Sequence, residues 1–461
     1  MTSYYKIVTQ RIMSGLFTIL SLCFCEKGWL EEKSDITLTV PNTIPDLQKL
    51  LDNSAVFNRT GLSLGELSAD NIFMTPSVWQ SAYSVEKNAY VWESDIYQDV
   101  QFTSNWDYPY TRIYYANTAL EGAGAIMRDD GSSIALDNIR GSALFYRAFA
   151  HFEVANIFAP QYIAATAPMD MGIPLRMSSD FNIPSVRASL KTTYEQIIQD
   201  LQDAKNLLPV LPLYKSRPSK TAAFALLARV CVSMEDYNNA RIYADSALAY
   251  NYTLLNYNTL NAASSAPIPL PASNTELIFF NTLPNIGSLR NAFVDTTLFA
   301  SYNSNDLRRS VFFSSLPPTL KFKGNYNSLT AISYFFNGLA TDELYLIKAE
   351  CLARQGQTQP AMDVLNTLLL NRWVTGTFIN LTATDAEDAL TQILTERKKE
   401  LLYRGLRWTD LKRLNRDNRF AATLTRKINS DVYTLMPGDL RYVHLLPPDV
   451  IRYSGMPQNP R

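Results

Sequence analysis

Apolar residues recur at three- and four-residue steps through much of the chain, the spacing of one helical face. The pattern IPDLQKLLDNSAVFNR between Pro41 and Arg59 predicts a first helix. Trp106, Tyr110, Ile113, Asn117 and Leu120 predict a second over Asn105–Met127. Phe145, Phe149, Phe152 and Val154 predict a third over Gly141–Phe158, which Pro160 stops because proline has no amide hydrogen to continue the ladder. Ile197, Ile198, Leu201, Ala204 and Leu208 give a fourth over Thr192–Leu208, with Thr192 and Glu195 at capping-box spacing. Near the end, Ala389, Leu390, Ile393, Leu394, Leu401 and Leu402 form the stripe of a charged helix that Thr384 and Glu387 would cap. Gly405 supplies the left-handed stop, and Arg-Trp-x-Asp-Leu from Arg407 enters another helix.

Two segments share one pattern. Phe224, Ala228, Cys231, Ala240 and Ala247 match Tyr345, Ala349, Leu352, Ala361 and Leu368 at equal offsets, with Glu235 standing where the second unit has Gly356. Small residues at these positions let two antiparallel helices approach closely, as in tetratricopeptide units. Repeat pairs are therefore expected near 219–251 and 341–372. Between them, 252–340 is rich in Pro, Ser and Asn and has only short apolar runs such as ELIFFN, which predicts a loop-rich insertion with short strands. The fold class that follows is mostly α, a tetratricopeptide-like helical scaffold carrying that insertion.

The 461 residues carry a formal net charge of −1, which removes the electrostatic reason to expect a nucleic-acid partner. The 26 Tyr, 22 Phe and 6 Trp change the picture more. Many fall in polar, irregular sequence, above all in Gly65–Gln98. Flat rings stack on the apolar faces of sugars while polar neighbours bond the hydroxyls. Asp70, Asn71, Trp79, Tyr83, Trp92 and Tyr97 from this stretch, with Tyr302 and Tyr326 from the insertion, are the candidate ligand-binding residues; packing against the scaffold is the competing role for each ring. Asn303 and Tyr334 belong to the same loop-rich sequence.

The charges of Glu396–Asn415 invite a catalytic reading, but at this density on a helix they are expected to be solvated or structural. His151 and His444 are the only histidines, and neither completes a zinc motif or a triad. No catalytic residue, metal or cofactor is assigned; a glycoside-acting enzyme built on two carboxylates is the alternative that needs no motif. Cys231 and Cys351 lie in apolar helical patterns and are expected as buried free thiols. At the amino end, Lys6 and Arg11 precede an apolar run, Ile12–Phe24, of signal-peptide length, followed by Cys25 and polar sequence. Lipoprotein processing at Cys25, an uncleaved anchor and an ordinary secretory signal all fit that run.

Four segments together resemble the SusD/RagB family of nutrient-binding outer-membrane lipoproteins: Cys25-Glu-Lys-Gly-Trp-Leu-Glu; Arg147-Ala-Phe-Ala-His-Phe-Glu with Phe158; Glu396-Arg-Lys-Lys-Glu-Leu with Gly405, Arg407, Trp408, Asp410, Leu411 and Arg413; and Leu446-Pro-Pro-Asp-Val-Ile with Gln458-Asn-Pro. The resemblance implies a signal over 1–24, lipidation of Cys25, and one SusD-like domain over 25–461 held at the outer face of the outer membrane. It implies a protein that captures a glycan or other nutrient, peptides included, and delivers it to a SusC-like TonB-dependent transporter. Trp408 and Leu411 are expected to pack the last helix on the repeats, with Arg397, Arg407 and Asp410 fixing the turn.

Overall fold

A computed structural model describes residues 41–98, 104–284, 286–314, 319–326 and 334–461. Cys25 and the segment 1–24 lie outside the described residues. Among the described residues are 18 α-helices and ten short strands, the mostly helical fold expected. The ten helices of eight residues or more are α1 (Ile44–Leu51), α2 (Ser104–Ala125), α3 (Ser133–Phe158), α4 (Leu190–Leu207), α5 (Lys220–Ser233), α6 (Tyr237–Leu248), α7 (Thr341–Arg354), α8 (Thr358–Leu370), α9 (Ala386–Glu400) and α10 (Arg407–Leu414).

Helix starts differ from expectation where a better cap stood next to the predicted one. Ser189 caps α4, its hydroxyl accepting from the Thr192 amide, so Thr192 lies inside the helix rather than at its start. Asp385, not Thr384, caps α9 by accepting from the Asp388 amide. The first predicted helix splits into α1 and a single turn, Ser54–Phe57. Asp52 and Asn53 separate the two, residue types whose side chains compete for the backbone's own hydrogen bonds.

From α2 onward each helix packs on the next, α2 through α7, and α9 then covers α7 and α8. The long α3 is buried around most of its circumference, from Leu136 to Phe158, because α2 and α4 flank it. The pairs α5–α6 and α7–α8 fall where repeat units are expected. Ala228, Cys231, Ala240 and Ala247, and their counterparts Ala349, Leu352, Ala361 and Leu368, are all buried. The turns correspond too: Gly356 has φ +75° and Glu235 has φ +63°, so the second unit uses glycine where the first holds a strained glutamate. Cys231 and Cys351 are buried free thiols.

The segment between the repeats forms the expected loops and short strands. Leu277–Phe279 pairs antiparallel with Leu339–Ala340 at the entry to α7. Phe293–Val294 pairs with Ile72–Phe73, which joins the insertion to the aromatic stretch of Gly65–Gln98. A second hydrophobic cluster lies under this region, separate from the cluster built by α1–α6 with parts of α7 and α10, and a third joins α7 and α8 to α9.

The charges of α9 hold the insertion down. Glu396, Lys399 and Glu400 are buried. Arg308 of the insertion donates to Asp306 at 2.7 Å, Glu396 at 2.5 Å and Glu400 at 3.0 Å. Arg372, at the end of α8, bonds Glu400 and Glu276, both at 2.7 Å. Arg404, four residues beyond Glu400, turns instead to Asp342 at 2.8 Å. A buried carboxylate must find its partners wherever they are close, and tertiary neighbours outcompete helix neighbours here.

Candidate functional site

The structure sorts the eight candidate residues by exposure. Trp92, Tyr97, Tyr302 and Tyr326 are buried. The Trp92 indole donates to the Ser68 carbonyl at 2.9 Å, and the Arg426 guanidinium sits over its ring at 4.6 Å. Tyr302 donates to the Lys399 carbonyl at 2.7 Å. Tyr326 donates to Glu276 and to Asp342 and lies under Arg404. Asn71 is buried against Glu66. Asp70 is an ion-pair hub, accepting from Arg407 and Lys398, both at 2.7 Å, and those cations hold its carboxyl well below the usual carboxylate range despite burial. Trp79 is half-buried, its indole tied to the Lys87 carbonyl at 3.0 Å. In these places seven of the eight side chains secure the scaffold.

Tyr83 differs. Helices Pro76–Ser81 and Ser84–Tyr90 are separated by Ala82 and Tyr83, both in extended conformation, and the Tyr83 ring stands 79% exposed. It lines a cavity of about 470 Å³ together with Glu86, Asn105, Tyr108, Pro284 and Ile286, among others. The aromatic stretch, the start of α2 and the insertion meet there. Asn105 anchors the floor: its Oδ1 accepts from the Ser63 amide at 2.7 Å and the Leu64 amide at 3.1 Å, the unpaired donors at the start of helix Leu64–Ser68. Burial raises the Glu86 carboxyl above its usual pKa, opposed by Ser288 beside it. The cavity thus gathers an exposed ring, amide, hydroxyl and carboxyl groups, and apolar side chains such as Leu64, Leu67 and Ile286, the mixture of groups found in small-molecule sites.

Sequence reasoning selected Tyr83 and missed Glu86, Asn105, Tyr108, Pro284 and Ile286. Asn105 and Tyr108 sit in a helical pattern that says nothing of a cavity, and Pro284 and Ile286 join it only by folding back. His151 and His444 are buried, and burial lowers both imidazoles to about 3. His444 Nε2 lies 3.1 Å from Ser68 Oγ, and its ring is tilted against Trp408 in the core, outside the cavity. Among the described residues no group of three or more His, Cys, Asp or Glu is placed to hold a metal.

The expectation for α10 holds in part. Trp408 and Leu411 are buried, and Trp408 stacks on Tyr442 at 4.8 Å and packs over Gly65. Asp410 bridges Arg397 and Arg413, both at 2.9 Å. Arg407 instead leaves the turn for Asp70, so this helix is tied to the aromatic stretch as well as to the repeats.

A family model described as "Starch-binding associating with outer membrane" matches residues 28–232, and one described as "SusD family" matches residues 341–435. SusD-like protein P2 of Formosa agariphila is 30% identical over 139 residues, a match spanning 29% of this chain and 25% of that protein's length. A SusD superfamily protein from Bacteroides vulgatus superposes with a TM-score of 0.74 at 20% identity, covering 91% of this chain and 99% of the other. One from Bacteroides thetaiotaomicron gives 0.71 at 19% identity, covering 91% and 100%. A laminarin-binding SusD-like protein gives 0.64 at 17% identity, covering 90% and 97%. At these identities the superpositions speak for the fold alone. With SusD-family models matching on both sides of the insertion, over 28–232 and 341–435, this protein belongs to the SusD family.

Proposed function

We propose that the protein captures an oligosaccharide, without cleaving it, in the cavity beside Tyr83. The observation that carries this reading is the Tyr83 ring, 79% exposed at a cavity that the aromatic stretch and the insertion line together. A ring held off the protein surface offers a face to a pyranose, while Asn105, Tyr108 and Glu86 supply partners for hydroxyls. The laminarin-binding relative of like fold adds support for a glycan cargo.

In this reading Cys25 carries the lipid, the chain 25–461 works as one unit at the outer face of the outer membrane, and a SusC-like TonB-dependent transporter receives the cargo. Family membership supports this placement, as does the description of the model matching 28–232.

Calorimetry against a panel of hexasaccharides, laminarihexaose, maltohexaose, cellohexaose and xylohexaose, tests the site. Tyr83→Ala is expected to weaken binding of the preferred sugar by about tenfold, the loss of roughly one good ring contact, with thermal stability unchanged. Equal affinity in wild type and variant excludes this cavity. Cys25→Ala is expected to release the protein from the membrane fraction; retention there removes the lipid anchor from the proposal.

A further inference from the structure

A second, larger cavity of about 640 Å³ lies against α2 as well. It is lined by Trp106, Tyr110 and Tyr114 of α2, by Phe181 and Ile183 of the loop after Pro174, and by Tyr453 of the helix Pro448–Ser454. At about 100° per residue, these α2 rings sit nearly opposite Asn105 and Tyr108, so the two cavities flank the same helical turns. Residues spaced by four along α2 make a ladder about 12 Å long at about 1.5 Å per residue. Trp106 and Tyr110 lie 4.7 Å apart, centroid to centroid.

Three of the rings are displayed: Phe181 is 82% exposed, Tyr453 80% and Tyr114 48%. The facing loop is braced from behind. Arg176 donates to the carbonyls of Asp180 and Ile183, and Glu121 accepts from the Ser178 hydroxyl at 2.8 Å and the Ser179 amide at 2.9 Å. A groove preformed in this way loses little entropy on binding. Its lining includes four serines and no carboxylate, and its one guanidinium is committed to the loop. Rings beside hydroxyls, with no unopposed charge, fit an uncharged sugar better than an ion or a charged peptide.

We propose that this groove is a second oligosaccharide-binding site for neutral sugars, so that one long glycan contacts both sides of α2. It rests on the glycan reading above, but on different residues. The test uses the full chain, the same four hexasaccharides and longer chains of whichever binds, with Tyr83→Ala, the double variant Phe181→Ala/Tyr453→Ala, and the triple combination. The double variant is expected to fold normally, since both rings are exposed, and to bind long chains about tenfold more weakly. Tyr83→Ala is expected to retain measurable binding that the triple variant loses. If Tyr83→Ala abolishes all binding and the double variant binds like wild type, the second site is overturned and the first stands. If the double variant alone abolishes binding, the groove stands and the Tyr83 site fails. Unchanged sugar affinity with lost association to a co-expressed barrel transporter makes this face a protein interface and overturns the proposal.

Discussion

Glu66 shows what a single buried group does to this fold. Its carboxyl accepts from the Asn71 side chain at 3.3 Å and the Gly405 amide at 3.0 Å, yet burial dominates and raises it to about 7 from an ordinary 4.5. The folded protein therefore holds a proton that the unfolded chain gives up between those values. Stability from this group is full below about 4.5, declines as pH rises through about 7, and is flat above. The decline is on the order of 3 kcal/mol. Urea titrations at pH 5 and pH 8 should show wild type losing that much relative to Glu66→Gln; parallel pH dependence in the two would contradict it. At Gly356 the issue is the backbone. With φ +75° and open space around its Cα, Gly356→Ala meets no clash and should cost only the left-handed penalty, about 1 kcal/mol. A loss above about 3 kcal/mol would mean that the turn does more than reverse the chain.

At the scale of elements, the insertion is fastened by a charged seam. Arg308 answers Asp306, Glu396 and Glu400 at once, with no exposed side-chain surface of its own. Replacing Arg308 by Met takes one cation from three buried carboxylates and leaves Asp306 only Lys399 at 3.6 Å, a change worth about 3–5 kcal/mol. Thermal melts should show a large drop, and proteolysis should begin within 252–340, because the seam fastens the insertion to α9. Cleavage starting instead in the repeats would place the weak point elsewhere. The helical pattern of α9 does not show this seam, since Arg308 and Arg372 come from 88 and 28 residues away from their partners Glu396 and Glu400.

For the molecule as a whole, the scaffold and the proposed binding face are separable. Trp408 is buried between Tyr442 and the backbone at Gly65, whereas Tyr83 touches little of the core. Trp408→Ala should cost about 3–5 kcal/mol and weaken ligand binding only in proportion to unfolding, while Tyr83→Ala should do the reverse. Calorimetry on both variants below their melting temperatures distinguishes the two roles; intact stability with lost binding in Trp408→Ala would move Trp408 into the site.

The repeat units, their equivalent turns and the motifs that name the family were legible in the chain, because each depends on residues within some thirty positions of one another and on the fixed period of a helix. The buried thiols at Cys231 and Cys351 followed from the same periodicity. Exposure of the aromatic residues was not legible. Trp92 and Tyr83 stand in equally polar sequence, and only the packing of Arg426 over one and the cavity beside the other separate them. Nor did the sequence reveal that Glu396 and Glu400 would be buried with Arg308 and Arg372, or that Pro284 and Ile286 would meet Asn105 and Tyr108. Those outcomes depend on contacts between distant segments, which local periodicity does not encode and which chain folding alone decides.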